Sequence, residues 1–191
     1  MNASVLDRRT VVSEVLKYRG DAAIVTGLGS PAYDSFAAGD SDLNFYLWGA
    51  MGGAAMIGLG VALTQPGRRV LVITGDGEMM MGIGSLATIA AQNPSNLSLL
   101  VLDNEAFGET GRQRGLTAGP ANIEQMARGA GIARTLTIQT ETELDGLGVT
   151  LFHEEGPTLC VAKVALTDDP VSLPPRDGGY LCDRFRGALT R

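Results

Sequence analysis

The 191 residues include only two cysteines, one histidine and two lysines, and each scarcity closes a class of function. Cys160 and Cys182 make no disulfide framework, and two thiols are too few for an iron–sulfur cluster. A lone histidine, His153, builds no metal cluster; its place just before Gly156-Pro157 suits the end of a helix. Neither Lys17 nor Lys163 follows a glycine, so there is no phosphate-binding P-loop. No apolar run reaches the roughly 20 residues of a membrane span, and Met1 to Arg9 lacks the basic-then-apolar layout of a secretory signal. A net charge of −6 argues against nucleic acid as a partner. The expectation is a soluble, cytoplasmic chain without repeats or low-complexity tracts.

Apolar residues make up 45% of the chain but aromatic residues only 5%, and 26 residues are glycine. That balance suits an α/β domain, a doubly wound parallel sheet with helices on both faces. Apolar, partly β-branched runs predict strands at Ala22 to Thr26, Val70 to Thr74, Leu97 to Leu102, Arg134 to Ile138 and Thr158 to Val164. Helical spacing predicts helices over Val5 to Lys17, Ala50 to Leu63, Met79 to Gln92, Ile123 to Gly129 and Glu141 to Phe152. The expected domain is 1–167. The stretch 168–191, with Pro170, Pro174, Pro175 and Gly178-Gly179, reads as an irregular tail.

Gly75-Asp76-Gly77 directly follows one predicted strand, and Asn104 lies 28 residues beyond Asp76, at the end of the next. A strand–helix–strand unit returns the chain parallel, so both loops reach one edge of the sheet. Asp76, the Asn104 amide oxygen and a nearby backbone carbonyl would give a magnesium ion three of the six hard oxygens it wants. The amides of Gly77 and Glu78 would face an anion.

With these residues the chain resembles thiamine-diphosphate enzymes, whose cofactor domain carries Gly-Asp-Gly followed by Asn. Phe45 to Ala54, Ile57 to Leu63, Gly84 to Ala90 and Leu102 to Gly111 resemble one branch, the small (beta) subunit of sulfopyruvate decarboxylase and its phosphonopyruvate decarboxylase relatives. The resemblance implies Asp76, Asn104 and the carbonyl of Ala106 as magnesium ligands, and backbone amides of Gly77 and Glu78 on the diphosphate. It implies Met51 as the wedge that bends the cofactor and the carbonyl of Gly49 as acceptor for the aminopyrimidine. Phe107 would line the cofactor where relatives commonly have tyrosine. The bend brings the imino nitrogen to the thiazolium carbon, and the hard chemistry belongs to the cofactor. The glutamate that activates the pyrimidine belongs to a separate pyrimidine-binding domain, for which the length leaves no room. No catalytic residue is therefore assigned here; the expected partner is a pyrimidine-binding alpha subunit, in a hetero-oligomer acting on a small 2-oxo acid.

Other readings stand beside this one. Gly27-Leu28-Gly29-Ser30-Pro31-Ala32 matches a dinucleotide fingerprint, but no acidic strand end follows and Pro31 interrupts the loop. It is then either a plain strand-to-helix turn or a loop along the diphosphate. Asp40 and Asp42 read as a polar turn or a second metal site. Arg112 and Arg114 either clamp a sulfonate or phosphonate or are exposed arginines. Glu109 would repel an anionic substrate, which weighs against those two substrates but not against the cofactor. Thr110-Gly111-Arg112-Gln113 also resembles the small subunit of a 2-oxo acid ferredoxin oxidoreductase. A non-catalytic cofactor-binding or assembly subunit is the reading from another class.

Overall fold

The computed structural model describes residues 6–191, so the readings of Met1 to Val5 lie outside the described residues. Six strands form one all-parallel sheet: β1 (Ala23–Thr26), β2 (Asn44–Tyr46), β3 (Val70–Gly75), β4 (Leu97–Asp103), β7 (Arg134–Ile138) and β8 (Thr158–Lys163). Their order is β2-β1-β3-β4-β8-β7. Between β4 and β7 a two-stranded antiparallel hairpin, β5 (Ala106–Phe107) and β6 (Gln113–Arg114), stands apart from the sheet.

The strands are apolar on both sides because both faces are covered. Successive side chains of a strand point to opposite faces. Ile24, Leu71, Ile73, Leu100 and Cys160 accordingly meet α1 (Arg8–Leu16) and α8 (Leu147–His153). Val25, Val72, Leu99, Val101 and Leu159 meet α3 (Ala54–Thr64), α5 (Ser85–Gln92) and α6 (Ile123–Ala130) on the other face. Gly58 of α3 sits so close to β3 that a Cβ there would lie 2.2 Å from Val72 Cγ2, so the small residues of this helix do serve close approach. β1 leads through α2 (Ser30–Ala37) to β2 on one side, and β3 leads to β4 on the other. The crevice of a doubly wound sheet opens where the winding reverses, here between the C-terminal ends of β1 and β3.

Several boundaries differ from the sequence reading. The helix expected over Met79 to Gln92 is two, α4 (Asp76–Met81) and α5, because Gly82 lies against Gly52: a Cβ on Gly82 would be 2.2 Å from the Gly52 carbonyl oxygen. Glu141 to Phe152 is likewise split into α7 (Glu141–Leu144) and α8 at Gly146, whose φ of 80° ends the first turn. The edge strand β2 went unread because three residues carry no period.

The C-terminal stretch needs the largest correction. Residues 168–177 are irregular, but α9 (Gly178–Leu189) is a helix capped by Asp177, whose side chain accepts from the Tyr180 amide. Leu181, Phe185 and Ala188 are buried, and Phe185 joins the core beneath Phe45. Arg184 reaches Asp40 at 2.7 Å, and the Trp48 indole N–H donates to the Pro175 carbonyl at 2.7 Å with the Arg176 guanidinium over its ring. The Asp40 carboxylate also accepts from the Tyr46 hydroxyl and the Ser41 amide, so it is spent on structure. Among the described residues no helix is long and apolar enough to cross a membrane.

Candidate cofactor site

β3 ends at Gly75, and Asp76 opens α4 directly over the crevice. β4 ends at Asp103, one residue before Asn104, and Glu105 then turns at a φ of 60°, a left-handed conformation that costs free energy and is held by its surroundings. The turn is fastened on both sides. The Glu105 amide donates to Asp103 Oδ1 at 3.1 Å, and the Ala106 amide donates to Asn104 Oδ1 at 3.0 Å. The hairpin that follows places the Phe107 ring against Gly77, where a Cβ would lie 2.8 Å from Cε1. No side chain larger than hydrogen fits at Gly77 while that ring stays in place.

One pocket gathers most of the residues read from the sequence: Met51, Asp76, Gly77, Glu78, Asn104, Ala106 and Phe107. Leu28, Ser30 and Pro31 of the first loop complete one side, so that loop does line the pocket. Gly49 is exposed and is not among the lining residues; it stands two positions before Met51. Met51 lies between Ala50 and Gly52, both with positive φ (53° and 90°), in a tight turn that sends its side chain inward while leaving it 42% exposed.

Asp76 is buried, and its pKa is pushed up to about 6, first by that burial and then by the nearby Asp103 carboxylate; a bond from Thr117 and backbone amides pull it partly back. A divalent cation bound here would supply positive charge beside it. The donor set suits magnesium by its chemistry: one carboxylate, one amide oxygen and a backbone carbonyl, all hard oxygens, with no thiol or imidazole. Among the described residues no group of three His, Cys, Asp or Glu side chains could hold a metal.

Glu78 departs from the sequence reading, which used only its amide. Its side chain is buried beneath the first loop, so near Gly27 that a Cβ there would lie 1.8 Å from Oε2. Neither oxygen closes a hydrogen bond, although the Thr74 hydroxyl and the amides of Gly52, Ala54 and Leu28 are turned toward it. Burial pushes its pKa up.

Of the two arginines singled out earlier, Arg112 pairs with Asp168 and lines an adjoining cleft with Arg8, Ser30, Asn104 and Glu109, and Arg114 bonds the Ala118 carbonyl. The cation that lines the cofactor pocket is Arg8, buried and held between Asp34 and, at 2.9 Å, Asp169. Sequence reasoning missed it, since the contact spans 161 residues. Thr117 was missed too; the hairpin folds it back beneath Asp76. Glu109 stands beside Gly29 at the pocket wall.

Residues 31–162 match the family described as thiamine pyrophosphate enzyme, C-terminal TPP binding domain. The chain belongs to the thiamine pyrophosphate enzymes. Among its relatives is the sulfopyruvate decarboxylase subunit beta of Methanocaldococcus jannaschii, 34% identical over 188 residues, covering 96% of this chain and 97% of that protein. The phosphonopyruvate decarboxylase of Streptomyces viridochromogenes is 40% identical over 171 residues; the match covers 89% of this chain but only 43% of that protein. A solved thiamin diphosphate-dependent enzyme from Mycobacterium smegmatis superposes with a TM-score of 0.73 at 22% identity, over 85% of this chain and 32% of its own. That last likeness carries the fold alone.

Proposed function

We propose that the chain is the diphosphate-binding subunit of a heteromeric, magnesium- and thiamine-diphosphate-dependent decarboxylase acting on a 2-oxo acid like sulfopyruvate or phosphonopyruvate, with carbon dioxide and an aldehyde as products. The observation that carries it is the end-to-end match to a protein named as a beta subunit, with Asp76, Asn104 and Ala106 in one pocket. In this reading Asp76, Asn104 and the Ala106 carbonyl hold the magnesium ion, and the Gly77 and Glu78 amides hold the diphosphate. Met51 fixes the cofactor's bend, Phe107 covers it, and the Gly49 carbonyl accepts from the pyrimidine amine. When bound, thiamine diphosphate supplies the electron sink for decarboxylation. This chain's residues bind and orient; the activating glutamate comes from a pyrimidine-binding alpha subunit. The two unpaired cysteines, Cys160 and Cys182, fit a cytoplasmic setting.

Calorimetry on the chain with its co-purified partner tests this. Magnesium-dependent thiamine diphosphate binding is expected in the parent and lost in Asp76→Ala and Asn104→Ala, and Met51→Ala should bind the cofactor but decarboxylate slowly. A parent that binds no thiamine diphosphate, alone or with its partner, refutes the reading.

A further inference from the structure

We propose that Arg8 and Arg112 bind the second anionic group of the substrate, a sulfonate or phosphonate, and that Asp169 and Asp168 occupy those two arginines until the substrate displaces them; this rests on the cofactor reading above. Arg8, Ser30, Asn104, Gly108 and Glu109 line both the cofactor pocket and the cleft beside it, which makes the cleft a side arm of that pocket. Its lining carries three arginines, Arg8, Arg9 and Arg112, and three carboxylates, Glu109, Asp168 and Asp169. Two of those carboxylates are consecutive and belong to residues 165–175, a stretch without helix or strand. Its ends are fixed, the Ala165 amide by the Leu6 carbonyl at 2.8 Å and the Pro175 carbonyl by Trp48. From Ala165 to Leu173 none of its residues is buried. Among the described residues three arginines tie it across the cleft: Arg112 pairs with Asp168, Arg8 with Asp169 at 2.9 Å, and the Arg9 guanidinium donates to the Pro170 carbonyl at 2.7 Å. The stretch is a strap held by charge, not by packing.

A guanidinium takes a carboxylate, a sulfonate or a phosphonate through the same N–H donors, so a carboxylate seated on an arginine marks a place that another oxyanion can take. The side chains of Arg112 and Asp168 are 45% and 84% exposed, and an exposed pair of this kind is weak. Exchange there costs little. Arg8 is buried, and Asp34, itself buried, keeps hold of it when Asp169 leaves. Arg112 has a φ of 61° and its amide donates to the Phe107 carbonyl at 3.0 Å, so the hairpin that brings Phe107 to the cofactor pocket also fixes the arginine beside the cleft. Strained backbone of this kind clusters at ligand clamps. With the strap lifted, Glu109 is the one carboxylate that remains among the described lining residues, against three arginines. Glu109 itself leans on the first loop, where a Cβ on Gly29 would lie 2.9 Å from its Oε1. The repulsion expected of Glu109 is thus outweighed once Asp168 and Asp169 have gone.

The test takes the chain with its partner at saturating magnesium and thiamine diphosphate and titrates in 3-sulfopropanoate and 3-phosphonopropanoate, read by calorimetry. Both carry the second anionic group without a 2-oxo group, and butanoate, which lacks it, is the control. The parent is expected to bind at least one of the two about 10-fold more tightly than butanoate, and binding of one alone names the substrate's anion. Arg112→Gln is expected to weaken that binding about 10-fold with no loss for butanoate, whereas Asp168→Asn combined with Asp169→Asn should tighten it several-fold, because the competing carboxylates are gone. An Arg112→Gln complex that binds as the parent does, or a double variant that gains nothing, overturns the proposal. Binding seen only when thiamine diphosphate is left out would put the arginines on the diphosphate and overturns it too. If the double variant does not fold, Asp168→Asn alone, at an exposed position, is read by the same criterion. A parent that binds no thiamine diphosphate refutes the cofactor reading and this proposal with it, whereas a cofactor-bound parent that prefers neither acid to butanoate refutes only the role of the arginines.

Discussion

Asn96 and Glu78, buried at opposite ends of the sheet, are satisfied to opposite degrees. At the end where β4 begins, Asn96 is buried and its amide nitrogen reaches the carbonyls of Ala62 at 3.1 Å, Gln65 at 3.0 Å and Arg68 at 2.8 Å. At the end where β3 and β4 finish, Glu78 is as deeply buried with neither oxygen bonded, and Asp76 is held above its ordinary pKa. An unsatisfied buried polar group costs about 1–3 kcal/mol, more when charged. Asn96 fastens its end of the sheet, whereas Glu78 and Asp76 carry a cost that a bound cation and cofactor would offset. Proteins commonly break local rules at functional sites.

Three substitutions probe that contrast. The largest effect is expected for Asp76→Asn, which should abolish magnesium-dependent cofactor binding while the melting temperature without magnesium stays level or rises; a drop in that temperature would mean that Asp76 is structural. Next comes Asn96→Ala, expected to lower stability in urea by about 2 kcal/mol and leave cofactor affinity intact, since it strips donors only at its own end of the sheet. Glu78→Gln removes a buried, unpaired charge. It should raise the melting temperature by about 2–4 °C in calorimetric scans of the cofactor-free chain, and no gain would show that the amides around Glu78 already satisfy it.

The smallest effect concerns pH. Glu124 on α6 has its pKa held below the ordinary glutamate value, chiefly by the Thr137 hydroxyl at 2.5 Å and also by Arg128 at 2.7 Å. A depressed carboxylate pKa adds stability above the unfolded value, and that part is lost as pH falls through the folded one. Glu124→Gln should therefore flatten the stability curve on its acid side, below about pH 4.5, with little change near neutrality; an unchanged acid limb would break the assignment.

Much of this architecture was legible because the strands declare themselves. Val70 to Thr74 and Leu97 to Leu102 are apolar on both faces apart from Thr74 and Ser98, and that pattern predicted a doubly covered parallel sheet. Glycine between a strand and a helix, followed by aspartate, then located the crevice. What stayed hidden depended on partners distant in sequence. The break at Gly82 is set by Gly52, and the side chain of Glu78 is aimed by Gly27. Thr117 reaches Asp76 only because the β5–β6 hairpin reverses the chain, with the Gly115 amide bonded to the Glu105 carbonyl at 2.7 Å. In α9 the spacing of Leu181, Phe185 and Ala188 is helical, but the prolines and paired glycines before it masked the signal. The exposed pair of Arg112 with Asp168, 56 residues on, was equally out of reach of the sequence.

The bond from Trp48 to the Pro175 carbonyl has a practical use. This is the chain's only tryptophan, so all indole emission originates where the C-terminal segment meets the end of β2. With Arg176 stacked on the ring and Tyr33 6.3 Å away, the fluorophore is only partly exposed. A red shift during mild denaturation therefore times the detachment of that segment, while circular dichroism follows the helices as a whole. The fold thus carries a built-in optical gauge of whether its last helix is lost before the rest or together with it.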